Sequence, residues 1–333
     1  MGLLGRERNK LLFFIILLIG ISCSEQKPRN NGVNSIDLPL ITVPEFNADS
    51  AYAHIAQQVS FGPRVPNSPA HQDCYNYLTK TLKRYGASTM TQSDVVKRYD
   101  GYNMEMKNII ASFNQDFNKR ILLCAHWDTR FIADNDTINQ DQPILGANDG
   151  ASGVAVLLEI ARQISLHPLD IGIDIVLFDV EDQGQPNNKG SFVPHSWCLG
   201  SQYWASTPHV KNYYADFGIL LDMVGGKSAT FTQELTSKKF APRILDNIWN
   251  TAHRNGFSNF FRFQETPPII DDHLYINNII HIPTINIVEY DDNSHNHFNK
   301  HHHKHSDNMD IIDKKTLHAV GQTVLEVIYN TPK

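Results

Sequence analysis

The sequence predicts an α/β fold, one domain built on a mixed, largely parallel central sheet, and three observations predict it. Apolar runs of strand length recur at Ile121–Ala125, Ile171–Leu177, Phe217–Leu221 and His281–Val288. They are too continuously apolar to leave one face in water, which is the pattern of strands covered on both sides. Helical segments near 154–163, 241–254 and 314–329 alternate with them, and such alternation belongs to parallel sheets. The antiparallel part comes from strands near Ser88–Tyr99 and Tyr102–Phe113, joined by the hairpin signal Asp100-Gly101.

A chain of 333 residues, 41% hydrophobic and 19% charged, holds one large α/β domain or two small ones and is not a disordered polymer. The net charge of -6 leaves no basic footprint, so nucleic acid is not the expected partner. Sixteen histidines are many for this length, and six of them fall between His295 and His305. That excess fits metal chemistry; a solvated histidine-rich loop is the plainer explanation.

From the start of the chain, Arg6, Arg8 and Lys10 precede the apolar stretch Leu11–Ile19, shorter than the roughly 20 residues of a membrane span. A signal peptide over 1–22 is therefore expected. Ile21-Ser22-Cys23-Ser24 resembles a bacterial lipoprotein processing site with Cys23 as the lipidated residue, although Gly20 stands where leucine is more usual. Ordinary cleavage nearby would give a free exported protein instead. Either route places it outside the cytoplasm, in the periplasm or anchored to the outer membrane of a Gram-negative cell. Residues 23–43 read as a polar tether and 44–333 as the folded domain. Cys74, Cys124 and Cys198 remain, an odd number allowing at most one internal disulfide; Cys124, inside an apolar strand, reads as a small buried hydrophobe.

Asp49-Ser50 is the expected cap of a helix over 51–59, and Ser68-Pro69 opens a second one to about Tyr85-Gly86. The strand at Ile121–Ala125 ends in His126-Trp127-Asp128. Gly146–Gly153 leads into the helix after it. The next strand ends in Asp179-Val180-Glu181-Asp182, another in Asp222, and Asp271-Asp272-His273 precedes the last. Function gathers at the carboxyl ends of strands in such sheets. Adjacent acids at a buried strand end are costly unless a cation takes one and the other handles protons. A solvated turn explains Glu181-Asp182 alone, a helix N-cap explains Asp149 alone, and orientation of a loop explains Asp128 alone; their joint occurrence with His126, Asp222, Asp272, His273 and His303 points instead to catalytic zinc with a general base.

These residues resemble the zinc-dependent exopeptidases of family M28, which include aminopeptidases and the animal-type glutaminyl cyclases. The resemblance covers nearly everything after residue 50. It rests on Gly62-Pro63-Arg64, His126-Trp127-Asp128, Asn148–Gly153, Glu181-Asp182, Leu199-Gly200-Ser201, Leu221-Asp222-Met223, Asp271-Asp272-His273 and the His303 region. Asp271-Asp272-His273 and Trp197–Gln202 are most similar to glutaminyl cyclases of bacterial periplasmic type. The resemblance implies a single-domain α/β/α sandwich and one Zn²⁺ held by Asp149, Asp182 and His303. It makes Glu181 the proton-transferring acid and Asp222 with Asp272 a hydrogen-bonded acidic pair. The implied substrates are peptides and proteins beginning with glutamine. Trp197 is a candidate wall for the glutamine side chain, with plain core packing as its alternative. The run His301-His302-His303-Lys304-His305 leaves the ligand register open; counting back from Asp307-Asn308 favours His303 over His301 and His305. Two other readings compete. In a two-zinc aminopeptidase His126 and Asp222 would serve a second metal. A surface lipoprotein could bind metal or peptide without catalysis, but would have no use for a free acid at Glu181.

Overall fold

The structure, a computed structural model, describes residues 43–332 apart from 187, 188 and 295. The signal peptide, Cys23 and nearly all of the tether lie outside the described residues. Eight strands are present among those described: β1 Ser88–Lys97, β2 Asn103–Phe113, β3 Arg120–His126, β4 Gly172–Phe178, β5 Phe217–Asp222, β6 Phe231–Glu234, β7 Phe261–Thr266 and β8 Thr284–Val288. The helices are α1 Ala48–Ser60, α2 Pro69–Arg84, α3 Ala151–Leu166, α4 Leu199–Ser206, α5 Leu235–Phe240, α6 Pro242–Arg254, α7 Asp272–Tyr275 and α8 Lys314–Tyr329.

Six strands form the main sheet in the order β1-β2-β4-β3-β5-β8, with β1 and β2 antiparallel to their neighbours and the other four parallel. The hairpin forms as read, Lys97 opposite Asn103, with Gly101 at φ +87 closing the turn. Strand alternation divides the core. Ile121, Leu123 and Ala125 of β3 face one apolar cluster with α1, α3 and α8, while Leu122 and Cys124 face a second with Trp204 and Tyr213. Both faces of the parallel strands are thus covered, giving the α/β/α layering. Cys74, Cys124 and Cys198 are buried free thiols, so none is spent on a disulfide. No helix among the described residues is long and apolar enough to cross a membrane.

Local chemistry sets most element ends. Ser68 caps α2, its side chain accepting from His71 N at 3.1 Å with Pro69 in the first turn. The α1 cap is Asn47, whose Oδ1 accepts from Ser50 N at 3.0 Å, so the helix begins three residues before Ala51. Asp49 sits instead in the first turn, where its charge complements the helix dipole. The parallel pair β6–β7 and the short α4 and α7 went unpredicted. In β7 four successive residues between Phe261 and Thr266 are exposed, so neither strand alternation nor a buried run marks it.

Candidate active site

The carboxyl ends of β3, β4 and β5, with the loops before α3, α7 and α8, converge on one cavity of about 230 Å³. Asp149, Glu181, Asp182, Trp197, Asp222 and His303 all line it, so six of the seven residues expected in the site meet there.

Each acid is held by backbone. Asp128, fully buried after β3, accepts from Glu181 N (3.1 Å), Asp182 N (3.2 Å) and Gln183 Nε2 (2.9 Å). It therefore orients the Glu181-Asp182 turn, as its plainer explanation had it. Asp307 does the same for Asp149, accepting from Asn148 N at 2.7 Å and Asp149 N at 3.1 Å. Arg64 fixes the strand ends around this loop by donating to Trp127 O, Leu145 O and Gly146 O. Asp149 is no helix cap: Gly150 occupies that position in α3 without a side-chain bond. Gly150 is needed there, because an added Cβ would lie 2.5 Å from His126 Nε2.

His303 Nε2 lies 3.0 Å from Asp182 Oδ1 and 3.7 Å from Asp149 Oδ2. Its Nδ1 faces Asp134 Oδ1 at 3.2 Å, and Arg130 grips that carboxylate through Nε and Nη2. A histidine with one ring nitrogen donating to a carboxylate presents the other as a lone pair, the usual setting of a metal ligand. The oxygens Asp149 Oδ2 and Asp182 Oδ2 are buried without a hydrogen-bond partner. Such orphans are expensive, and a cation between them and His303 satisfies both. Two oxygens and one imidazole nitrogen suit zinc. Burial opposes charge on His303, yet Asp182 and Asp134 outweigh it and lift its pKa to about 9, so a cation seated here displaces a proton.

His302, the remaining histidine of the run, stacks on His303 at 3.7 Å. Its Nε2 is 3.9 Å from Asp149 Oδ2, but its Nδ1 receives Asn296 Nδ2 at 3.0 Å and Asn135 Nδ2 at 3.3 Å. Amide donors on Nδ1 favour the proton on Nε2 and weigh against a ligand role, although Asp149, His302 and His303 each place a donor atom within 4.8 Å of the others. His301 turns away to Ser306 Oγ (2.8 Å) and His305 to Asn139 O (3.1 Å).

Burial pushes the Glu181 carboxyl well above its ordinary range, and Asp182 adds repulsion. Its Oε1 receives the Cys198 thiol at 3.1 Å, and one atom each of Glu181, Cys198 and Asp271 lie within 4.8 Å of one another. The expected Asp222–Asp272 pair takes another form. Asp271 lines the cavity, and burial followed by repulsion from Asp222 raises its pKa to about 7. Asp272 is fully buried, and among the described residues no hydrogen bond joins it to Asp222. Its own N–H donates to Asp271 Oδ1, the cap that turns the preceding side chain toward the site. His273, the third residue of that motif, packs away against Glu234 at 3.1 Å. His126 Nε2 contacts Asp149 Oδ1 (3.0 Å) and Asp222 Oδ1 (3.2 Å). Burial works against its charge, but bonds to Asp128, Asp149 and Asp222 overcome it and raise its pKa well above the ordinary value.

Trp197 is a wall of the cavity, not a core residue. Its ring lies parallel to His303 at 5.7 Å, with the Arg130 guanidinium 4.4 Å from its centre. A Cβ on Gly184 would fall 2.0 Å from that ring. Sequence reasoning missed Arg130, Asp134, Cys198, Asp271 and Asp307; only Asp271, next to Asp272, and Cys198, next to Trp197, carried a local signal.

Residues 108–328 match the profile described as peptidase family M28. A Zn-dependent exopeptidase from Parabacteroides distasonis ATCC 8503 is similar, with 50% identity, TM-score 0.86 and coverage of 87% of this chain and 100% of that one. A glutaminyl cyclase from Bacteroides thetaiotaomicron, solved with N-acetylhistamine, shares 49% identity at TM-score 0.86, again over 87% of this chain and 100% of that one. Glutaminyl-peptide cyclotransferase of Bos taurus is 25% identical over half of each chain. The chain spans about half the length of the curated relatives it matches first, 50% and 46%.

Proposed function

Given that the chain belongs to peptidase family M28, we propose that it is a zinc-dependent glutaminyl-peptide cyclotransferase, closing N-terminal glutamine of peptides and proteins to pyroglutamate with release of ammonia. What supports this reading is the likeness, over 87% of the chain, to bacterial glutaminyl cyclases at 48% and 49% identity. Asp149, Asp182 and His303 would hold a single Zn²⁺, leaving Glu181 free to move protons. Hydrolysis of an amide requires an activated water, whereas cyclisation uses an amine already tethered to its target, and one ion is adequate for it.

The bound zinc would supply Lewis-acid polarisation of the γ-carbonyl and stabilisation of the charge developing on its oxygen. The chain's own residues do the rest. Glu181, at the cavity wall with its carboxyl pKa raised by burial, takes a proton from the attacking α-amine and delivers it to the carboxamide nitrogen, which leaves as ammonia. Asp271 lies beside this acid, and burial with repulsion from Asp222 favours a proton on Asp271. Asp272 acts behind them through its backbone. Trp197 excludes water from one side of the glutamine side chain. The N-terminal segment is read as a lipoprotein signal, Cys23 anchoring the enzyme to the Gram-negative envelope.

A two-zinc aminopeptidase is the second reading, favoured by one observation: His126, Asp149 and Asp222 each place a donor atom within 4.8 Å of the others. Purified enzyme given Gln-peptide and Leu-peptide substrates separates the two. Ammonia from the glutamine peptide with about one zinc per chain supports cyclisation; free leucine, two zinc ions and no ammonia overturn it.

A further inference from the structure

We infer that Cys198 is a positioning residue for Glu181: its thiol donates to Oε1 and holds the proton-transferring carboxylate toward the cavity. The inference rests on the role proposed above for Glu181. Cys198 lies in the loop between β4 and α4, and two backbone bonds dock that loop onto the β4 turn. Cys198 N donates to Glu181 O at 2.9 Å and Leu199 N to Val180 O at 3.2 Å. Both Val180 (φ 52) and Cys198 (φ 58) sit in the left-handed region, which is sparsely used by residues with a Cβ and for β-branched valine is an outlier. The docked backbone carries the Cys198 thiol to 3.1 Å from Glu181 Oε1.

The burial gradient fits this role. The Glu181 side chain keeps 12% of its surface toward the cavity, while Cys198 behind it is fully buried. Among the described residues, the thiol makes the one hydrogen bond received by that carboxylate. Its neighbour Asp271 is an acceptor when ionised and repels it. Burial and the nearby carboxylates push the thiol pKa well above the ordinary value, so the group stays a donor. The donor type matters as well. A lysine or arginine here would neutralise Glu181 and remove its basicity, whereas a thiol is a weak, uncharged donor that fixes the rotation of the carboxylate and leaves its lone pairs reactive.

The test compares Cys198→Ala and Cys198→Ser with wild type for kcat, KM, zinc content and thermal midpoint on a glutaminyl peptide. Cys198→Ala is expected to lose about tenfold in kcat, a fraction of the roughly 10²–10⁴-fold due to a whole acid–base group, with KM and zinc unchanged. Cys198→Ser restores the donor and should return to within about threefold of wild type. Wild-type kcat in Cys198→Ala, equal losses in both variants, or a loss that tracks zinc would each overturn the inference. If Cys198→Ala does not fold, Cys198→Ser decides alone: within about threefold supports the role, and a loss beyond about tenfold removes it. Absence of ammonia from the wild type would defeat the cyclase reading separately, and the same ratios would then be read on leucyl-peptide hydrolysis.

Discussion

Nδ1 of His303 lies 3.2 Å from Asp134 Oδ1, and the same carboxylate is clamped by Arg130. This contact fixes which imidazole nitrogen is free, and it is the ground on which His303 is proposed over the neighbouring histidines as the metal ligand.

Zinc retention should follow that selection. His303→Ala is expected to lose the metal, while His301→Ala and His302→Ala keep it. Asp134→Asn should weaken affinity by roughly 10–100-fold, the usual scale for the partner of a ligand histidine. Metal content after dialysis against a graded chelator measures all four. Retention by His303→Ala with loss in His302→Ala would reverse the assignment.

Glu181→Gln keeps the shape of the side chain and removes its ability to move a proton. Metal content should stay near one ion per chain while kcat falls by roughly 10²–10⁴-fold. A variant with near wild-type turnover would remove Glu181 from the reaction.

Stability should depend on pH through His54. It lies on α1, its ring bonded to Tyr77 Oη of α2 at 2.5 Å, and burial lowers its pKa to about 4. The unfolded chain, at about 6.5, therefore binds a proton that the folded chain refuses between those values. The stability present at neutral pH is lost as pH falls through this window, by at most about 3 kcal/mol from this residue. Denaturant titrations at pH 7 and pH 4.5 should show a smaller difference for His54→Gln than for wild type; equal differences would acquit His54.

Anchoring is tested at Cys23. Fractionation of expressing cells should find the protein with membranes and the Cys23→Ala variant in the released fraction, because a lipoprotein's several acyl chains hold stably where one does not. Membrane retention of the variant would indicate an uncleaved apolar segment instead.

Local residue patterns announce the main sheet, the positions of its polar strand ends and six of the residues that line the cavity. Strand chemistry is local: an apolar run followed by acids announces both a buried strand and where its chain emerges, and Ser68, Asp100-Gly101 and 314–329 mark their turns and helices equally plainly. Side-chain direction in the loops comes instead from contacts between remote segments. Asp271 and Asp272 are indistinguishable as neighbours in sequence, but the Asp271 cap on α7 turns the first into the cavity and buries the second. Cys198 meets Glu181 because backbone bonds across 17 residues press two loops together. The tautomer that weighs against His302 is set in part by Asn135, 167 positions away. Each of these rests on a hydrogen bond between segments remote in sequence, and no local pattern of residues encodes which remote partner will arrive.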